Sequence, residues 1–563
     1  MNKKYANIYG YGQLFAASGL DLGTDWHNDF VGVTMHDEVS LRFETPRRFV
    51  LSVGRPDSGC YKAVLSDIIE SADGDLLLAM FSRNALIGIG NPVIDAPAYE
   101  CVKSDEADLF RSDSGTIALK TSVQSGRTHF ALAYDTDPAA ALREADRAAS
   151  CDFAAVRRER YAYYDAIELP SYDKKYERLV SKLLSVGKVN VYSPEGSIKT
   201  FWTTPDRVPH KNMWLWDSVF HSLGYACYNI ELAKNALEAV LGKQKPDGFI
   251  PHMMTPDEDS VITQPPLLSF GVMYVYEKSG DKEFVTRNTD KLERYLEWDL
   301  RNRDSNGNLL LEWAIEEKAN CRSGESGMDN SPRFDGAEPL DSVDFSSFFS
   351  FDCKCLGKLF EALGQHEKSR KYYALSDRVK QAINEYLWNA GIDLYGDKRM
   401  NGTFTDIYSV ASFIPLFTEV ATDHTAEQLA KYLDDEKSFG GVLPVPSMPR
   451  NSPLYKKDMW RGAVWINYNY MIIAGLEKYG YHDKAAALRE KTLAAVQHWY
   501  TKKGTVYEFY DSDDETAPYL MERKGTCPSP PDFRKKMHAI CDYNWTAQLA
   551  LAMILEQGKR SIK

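Results

Sequence analysis

Between Cys321 and Asp335 the chain reads Cys-Arg-Ser-Gly-Glu-Ser-Gly-Met-Asp-Asn-Ser-Pro-Arg-Phe-Asp. Three carboxylates (Glu325, Asp329, Asp335) and two arginines (Arg322, Arg333) stand there among Gly, Ser, Asn and Pro. This composition cannot continue a helix and has little apolar surface to bury. A long irregular segment inside a compact chain is usually functional or disordered. The aromatics on either side, Trp313 and Phe334, favour function, because loops on rigid scaffolds concentrate binding and catalytic groups. The plainer alternative is a solvated acidic loop.

Other chemistry-bearing residues form a small number of further groups. Trp214-Leu-Trp216-Asp217 places a carboxylate in what would be the first turn of a helix, where it either points at a loop face or simply caps the helix. Gln244-Lys-Pro-Asp-Gly-Phe-Ile-Pro-His252 offers Gln244 and His252 as sugar-hydroxyl partners or as ordinary structural hydrogen bonders. Met459-Trp-Arg-Gly-Ala-Val-Trp465 supplies Trp460, Arg461 and Trp465. Thr505-Val-Tyr-Glu-Phe-Tyr-Asp511 supplies Tyr507 and Glu508, and Trp545 follows. Helix-borne tryptophans are often core residues; several at one end of a domain form a surface on which a sugar stacks. The set has carboxylates, arginines, amides and aromatics, but no phosphate-cradling glycine loop and no metal-ligand cluster, so we expect neither cofactor nor metal. Glycoside hydrolysis needs such a set. One carboxylic acid protonates the leaving oxygen, and a second carboxylate activates water or attacks the anomeric carbon. Apolar surroundings of the kind flanking Asp329 and Glu508 raise a carboxyl pKa. Composition alone does not say which carboxylate is the acid.

The elements that position these groups change character along the chain. Val39–Phe43, Phe49–Val53, Leu76–Phe81, Thr116–Lys120 and Thr128–Tyr134 are short runs of strand type separated by turn residues. They predict an antiparallel β-sandwich over residues 1–137. Ala139 to Tyr164 is Ala- and Arg-rich without turn residues and predicts a linking helix within 138–171, closed by Leu169-Pro170. From Tyr172 the period is helical. Twelve helices are expected, at 173–190, 214–229, 231–245, 265–279, 282–301, 342–363, 366–388, 406–418, 424–434, 460–479, 482–500 and 542–557. Short connections, several with Gly at the helix end, alternate with long irregular ones. Short turns join antiparallel neighbours. If the resulting hairpins close into a ring, residues 172–563 form an (α/α)6 barrel with every long loop on one face. An open helical array is the alternative, against which stands the lack of a fixed-period repeat.

A net charge of -13, from 67 basic and 80 acidic residues, argues against nucleic-acid or anionic-membrane partners. The nine cysteines are scattered and odd in number. Cys353-Lys-Cys355 is too tight for a disulfide or zinc knuckle, so reduced thiols are expected. The N-terminal residues lack the apolar run of a signal peptide, and no stretch is long and apolar enough to span a membrane. A cytoplasmic location is the expectation; oligomeric state is not legible.

Several of these segments together resemble a known family. Glu325-Ser-Gly-Met-Asp-Asn-Ser-Pro-Arg333 is similar to the E-S-G-x-D-x-S-x-R segment of glycoside hydrolase family 63 and the family 37 trehalases. Trp460-Arg-Gly-Ala-Val-Trp465 resembles the W-R-G-x-V-W segment of family 63. Trp216-Asp217, Gln244 with Asp247-Gly248, and Tyr507-Glu508 fit in the same order, so the resemblance covers about residues 200 to 550. Met328, where trehalases carry Trp, favours family 63. The resemblance implies an (α/α)6 barrel and an inverting exo-hydrolase of an α-linked terminal sugar, with Asp329 as general acid and Glu508 as general base. Trp216, Asp217, Gln244, His252, Trp313, Arg333, Trp460, Arg461, Trp465, Tyr507 and Trp545 are the expected substrate-binding residues. Glucose is the expected sugar; a mannosylglycerate-type α-mannoside or a trehalase-like substrate is the alternative. From other classes, a glycoside phosphorylase would use phosphate in place of base-activated water, and a sugar epimerase or isomerase would move protons with histidines, of which only His210, His221 and His252 lie near this face.

Overall fold

The computed structural model describes Tyr5 and residues 8–35, 38–526 and 538–560. The strand-type runs pair as two antiparallel sheets. One has the order Leu14–Phe15, Gly32–Thr34, Val39–Phe43, Phe49–Gly54, Val93–Asp95. The other runs Glu100–Lys103, Asp108–Ser112, Gly115–Gln124, Arg127–Asp135, Ala85–Ile89, Leu77–Ser82, Ile68–Ser71, Tyr61–Val64. Alternation puts Leu41, Phe43, Phe49 and Leu51 of the first sheet against Leu78, Met80, Ile117, Phe130 and Leu132 of the second, in one buried sandwich core.

The Ala- and Arg-rich stretch is two helices, not the single linking helix expected: α1 (Pro138–Ala149) and α2 (Phe153–Asp165). Asp137 and Asp152 each cap a helix start through the side chain, and the Asp152 cap is what divides the run. Ala141, Ala145 and Ala148 of α1 lie on a second sheet face made small by Ala118, Ala131 and Ala133, so helix and sheet approach closely.

The helical region comprises α3 (Glu177–Val189), α4 (Leu215–Tyr225), α5 (Ile230–Leu241), α6 (Leu268–Ser279), α7 (Lys282–Arg303), α8 (Val343–Ala362), α9 (His366–Tyr386), α10 (Ile414–Phe417), α11 (Asp423–Tyr432), α12 (Ile466–Lys478), α13 (His482–Lys503) and α14 (Asn544–Arg560). The even-numbered helices form a ring: α4 packs on α6, α6 on α8, α8 on α10, α10 on α12, α12 on α14, and α14 back on α4. Burial separates the inner helices from the outer ones. All eleven residues of α4 are buried, whereas α9 buries only Ser369, Tyr372, Ser376, Val379, Ala382 and Ile383, the stripe of an outer helix. Long connections enter each ring helix at its N-terminus, which makes the architecture an (α/α)6 barrel. Short turns leave each ring helix from α4 to α12; after α6, Gly280 takes φ 67° to close the turn.

Several of the expected helices are shorter than predicted, two of them markedly. Residues 406–409 are not helical; a 3-10 turn at Val410–Phe413 leads into the brief α10, with Pro415 near its start. Residues 460–465 do not belong to α12. Met459–Arg461 form a 3-10 turn, Gly462 has φ 158°, and Val464 exchanges backbone hydrogen bonds of 2.9 and 3.0 Å with Tyr510, which ties two long loops together.

Sandwich and barrel meet through a buried ionic group. Lys188 Nζ lies 2.5 Å from Asp67 and 2.8 Å from Asp21, and Tyr164 donates to Asp67 at 3.0 Å. Removing one member of such a group leaves a buried charge without compensation. Among the described residues, no helix is long and apolar enough to cross a membrane, and eight cysteines are free thiols. Cys527 lies outside the described residues.

Candidate active site

The Cys321–Asp335 segment is held as a rigid loop by its own charges. Glu325 is fully buried; it accepts both arms of Arg303 (2.7 and 3.0 Å) and the backbone N–H groups of Thr263 (3.1 Å) and Ala314 (2.6 Å). Its lone pairs are spent on scaffold. Arg333 is buried between Asp344 (2.6 and 2.8 Å) and Asp397 (2.7 and 3.0 Å). Asn330 donates to Asp458 (3.2 Å) and accepts from the backbone of Trp460 (3.0 Å), while Asp458 also receives Gly525 N–H at 3.0 Å. Three long loops are thereby locked together. Gly327 sits at φ 72° against the Trp216 ring; a Cβ there would lie 2.7 Å from the ring's Cη2. Only glycine allows both the turn and the indole beside it.

With the loop fixed, Asp329 faces a cavity of about 220 Å³. The long connections before α4, α6, α8, α12 and α14 all contribute to its wall. Eight of the residues singled out from sequence line it: Trp216, Asp217, His252, Asp329, Trp460, Trp465, Glu508 and Trp545. Trp460 and Trp465 stack with centroids 3.8 Å apart and planes 2° from parallel. Trp545 stands edge-on to both Trp465 and Trp216 at 5.6 Å. This aromatic wall is apolar enough to receive the C–H face of a sugar ring.

The carboxylates in the cavity have different surroundings. Glu508 is buried and clamped by Arg523, whose Nη2 and Nε donate to its two oxygens at 3.0 and 3.2 Å. Arg523 also donates to Nε2 of His210 (3.4 Å), and His210 Nδ1 is 2.5 Å from Asp206. A chain Asp206–His210–Arg523–Glu508 therefore orients the carboxylate. Asp329 pairs with Lys524, Nζ to Oδ2 2.6 Å. Burial would raise its pKa, but the charges of Lys524 and Arg523 outweigh that and hold it below the ordinary carboxylate value. Asp217 is the opposite case. Burial pushes it well above the ordinary value, and the negative charges of Glu508, Asp206 and Asp329 add to the shift. The two carboxyls are thus shifted in opposite directions, Asp217 upward and Asp329 downward.

Five expected substrate-binding residues lie outside this cavity. Gln244 donates to the carbonyls of Gly248 (3.1 Å) and Lys291 (2.7 Å), which spends its amide on a turn. Trp313 stacks on Phe345 at 3.7 Å and donates to Asp344 at 3.0 Å. Arg333 is consumed by the two aspartates above, and Arg461 pairs with Asp335 at 2.6 Å. Tyr507 points the other way from Glu508, since neighbours on extended backbone face opposite sides, and it lines a separate cavity. Conversely, Arg523 and Lys524 were not anticipated. They stand in Met521-Glu-Arg-Lys-Gly525, a polar stretch without periodicity or motif, which the contact of Asp458 with Gly525 and the backbone bonds of Glu522 to Lys457 and Met459 (3.2 Å each) bring back over Asp329.

The family model described as the mannosylglycerate hydrolase MGH1-like glycoside hydrolase domain matches residues 210–546. Every cavity residue named above falls within that span. Mannosylglycerate hydrolase MGH1 of Selaginella moellendorffii is 26% identical over 442 residues, covering 63% of this chain and 82% of that protein. The mannosylglycerate hydrolase of Thermus thermophilus is 25% identical over 379 residues, covering 53% and 89%. Among solved structures, a family 63 mannosylglycerate hydrolase from Thermus thermophilus in complex with glucose superposes with TM-score 0.54 at 24% identity, over 66% of this chain and 99% of that one. A bacterial glucoamylase complexed with acarbose gives TM-score 0.63 at 10% identity over 99% and 96%, so the sandwich recurs there beside the barrel as fold. With the family model matching more than half of its length, this chain belongs to the mannosylglycerate hydrolase MGH1-like family of glycoside hydrolases.

Proposed function

We propose that this protein is an inverting, exo-acting hydrolase that releases a terminal α-linked hexose from a small acidic aglycone. The observation that carries this reading is the pairing of Lys524 with Asp329 in the cavity that also holds Glu508. A general acid must hold a proton when the glycosidic oxygen leaves. Lys524 opposes that in the free enzyme. An aglycone carboxylate that docks on Lys524 neutralises the ammonium, and Asp329 then takes up a proton.

In the reaction, Asp329 gives its proton to the glycosidic oxygen as the C–O bond breaks. Water attacks the anomeric carbon from the opposite face and loses a proton to the Glu508 carboxylate, which Arg523 holds in place. The products are the β-hexose and the free aglycone. Asp217, protonated, donates to a sugar hydroxyl; the tryptophan wall covers the ring. The relatives named as mannosylglycerate hydrolases support an acidic aglycone, as does a Thermus thermophilus relative solved with Tris and D-glycerate.

The test is incubation with α-mannosylglycerate, α-glucosylglycerate, trehalose and neutral α-disaccharides, each with and without phosphate. Hexose release without phosphate, fastest from a glycosyl-glycerate, is expected. Release that requires phosphate, or none from any α-glycoside, overturns the reading.

A further inference from the structure

A cavity larger than the catalytic one, about 500 Å³, lies where the sandwich meets the barrel. One part of its wall is Tyr507 with Cys541, which face each other across a backbone bridge. The next residues along this strand pair are Glu508 and Ile540. Glu508 N–H bonds the Ile540 carbonyl at 2.9 Å, and the Glu508 side chain enters the catalytic cavity. The two cavities therefore share one strand pair as a party wall. Tyr9 and Tyr61 come from the sandwich, stacked at 5.4 Å with planes 17° apart, and Tyr519 comes from the barrel.

Three cations complete the lining: Arg55 from the sandwich, and Lys502 and Lys503 from the last turn of α13. Lys503 Nζ lies 5.1 Å from the centre of the Tyr519 ring. Among the described residues none of the three has a carboxylate partner, although the chain as a whole carries 80 acidic and 67 basic residues. Arg55 and Lys502 are exposed and Lys503 is half-buried, and together they set positive charge around one aromatic cavity with no carboxylate paired to them among the described residues. Tyrosine faces take the C–H surface of a pyranose, and guanidinium and ammonium groups take an oxyanion attached to it.

We propose that this junction cavity is a second carbohydrate site, selective for a sugar that carries a phosphate or carboxylate, with the ring against Tyr61 and Tyr519 and the anion on Arg55 and Lys503. The site is separate from the catalytic residues, and it stands whether or not the substrate proposed above is correct.

Titration calorimetry of the full-length protein tests it with four probes: glucose 6-phosphate, glucuronate, glucose and inorganic phosphate. The doubly substituted Arg55→Ala/Lys503→Ala protein and the single Tyr61→Ala protein serve as comparisons. We expect glucose 6-phosphate or glucuronate to bind at least tenfold more tightly than either glucose or inorganic phosphate. Both comparison proteins should lose that binding at least tenfold while their turnover of the best α-glycoside stays within twofold of wild type. A preference for phosphate over sugar phosphate separates the two sources of charge and overturns the sugar part. Equal binding of glucose overturns the anion part. Anionic-sugar binding unchanged in both comparison proteins, but lost in Asp217→Ala, assigns it to the catalytic cavity and overturns the second site.

Discussion

Lys524 Nζ and Asp329 Oδ2 are 2.6 Å apart, joining a half-buried lysine to the carboxylate proposed above as the acid. The lysine lowers the pKa of Asp329, so its removal must raise it. Lys524→Met should move the alkaline limb of kcat/KM to higher pH. It should also cut the preference for an acidic over a neutral aglycone about tenfold or more, equivalent to about 1.4 kcal/mol. An unmoved limb together with unchanged selectivity would show that the ion pair has no part in turnover.

Glu508→Gln keeps the shape of the side chain and one acceptor for Arg523 but cannot take a proton from water. We expect hydrolysis to fall by about three orders of magnitude or more, with substrate binding retained in calorimetry. In the wild type, proton NMR during the first turnovers should show the β-anomer of the released sugar. Early appearance of the α-anomer would falsify the inverting assignment for Glu508.

Gly327→Ala places a methyl group in clash with Cζ2 of the Trp216 ring and 2.7 Å from its Cη2, on backbone with φ 72°. Displacing either the indole or the loop moves Asp329. A shift of about 1 Å at a reacting group costs on the order of a hundredfold in rate. The expected result is a loss of that order in kcat with a stability change of only about 1–3 kcal/mol in urea unfolding. Wild-type kcat in the variant would show that loop and indole move without consequence.

Arg333 is within the motif but holds Asp344 and Asp397 and does not reach the cavity. Arg333→Met leaves two buried carboxylates without their cation, a change that costs about 3–5 kcal/mol. The measurement is urea unfolding at neutral pH. If stability is retained and KM alone rises, Arg333 contacts substrate instead.

Asp352 is buried in α8 and accepts the backbone N–H groups of Ser269 (3.0 Å) and Phe270 (2.8 Å) at the start of α6. Burial raises its pKa to about 7. A group raised on folding contributes stability that is full below its unfolded pKa and is lost as pH rises through the folded value. Wild-type stability should therefore decline between about pH 4 and pH 7 by up to ~4 kcal/mol from this group. Asp352→Asn, neutral throughout, should match wild type near pH 4 and exceed it at pH 8. Parallel stability curves for the two proteins across that range would refute the assignment.

What the sequence determined by itself is the architecture and the chemical class of the site. Helix periodicity, the alternation of short and long connections, and glycine at the helix ends are local signals, and they are enough to specify a series of helical hairpins, whose closure into a ring the family resemblance implied. The motifs around Asp329 and Trp460 identified the carboxylates and aromatics that meet in the cavity. Tertiary structure alone decided the rest, because it depends on where charges pair across long separations. Arg333 and Arg461 look like ligand-binding arginines in their motifs, yet carboxylates 64 and 126 positions away in the chain claim them. Tyr507 and Glu508 are neighbours in sequence but face different cavities, since extended backbone sends successive side chains to opposite sides. Arg523 and Lys524 carry no pattern at all; they became part of the site only when Asp458 and the backbone bonds of Glu522 to Lys457 and Met459 drew their loop over Asp329, where their charges hold its pKa down while burial pushes that of Asp217 up.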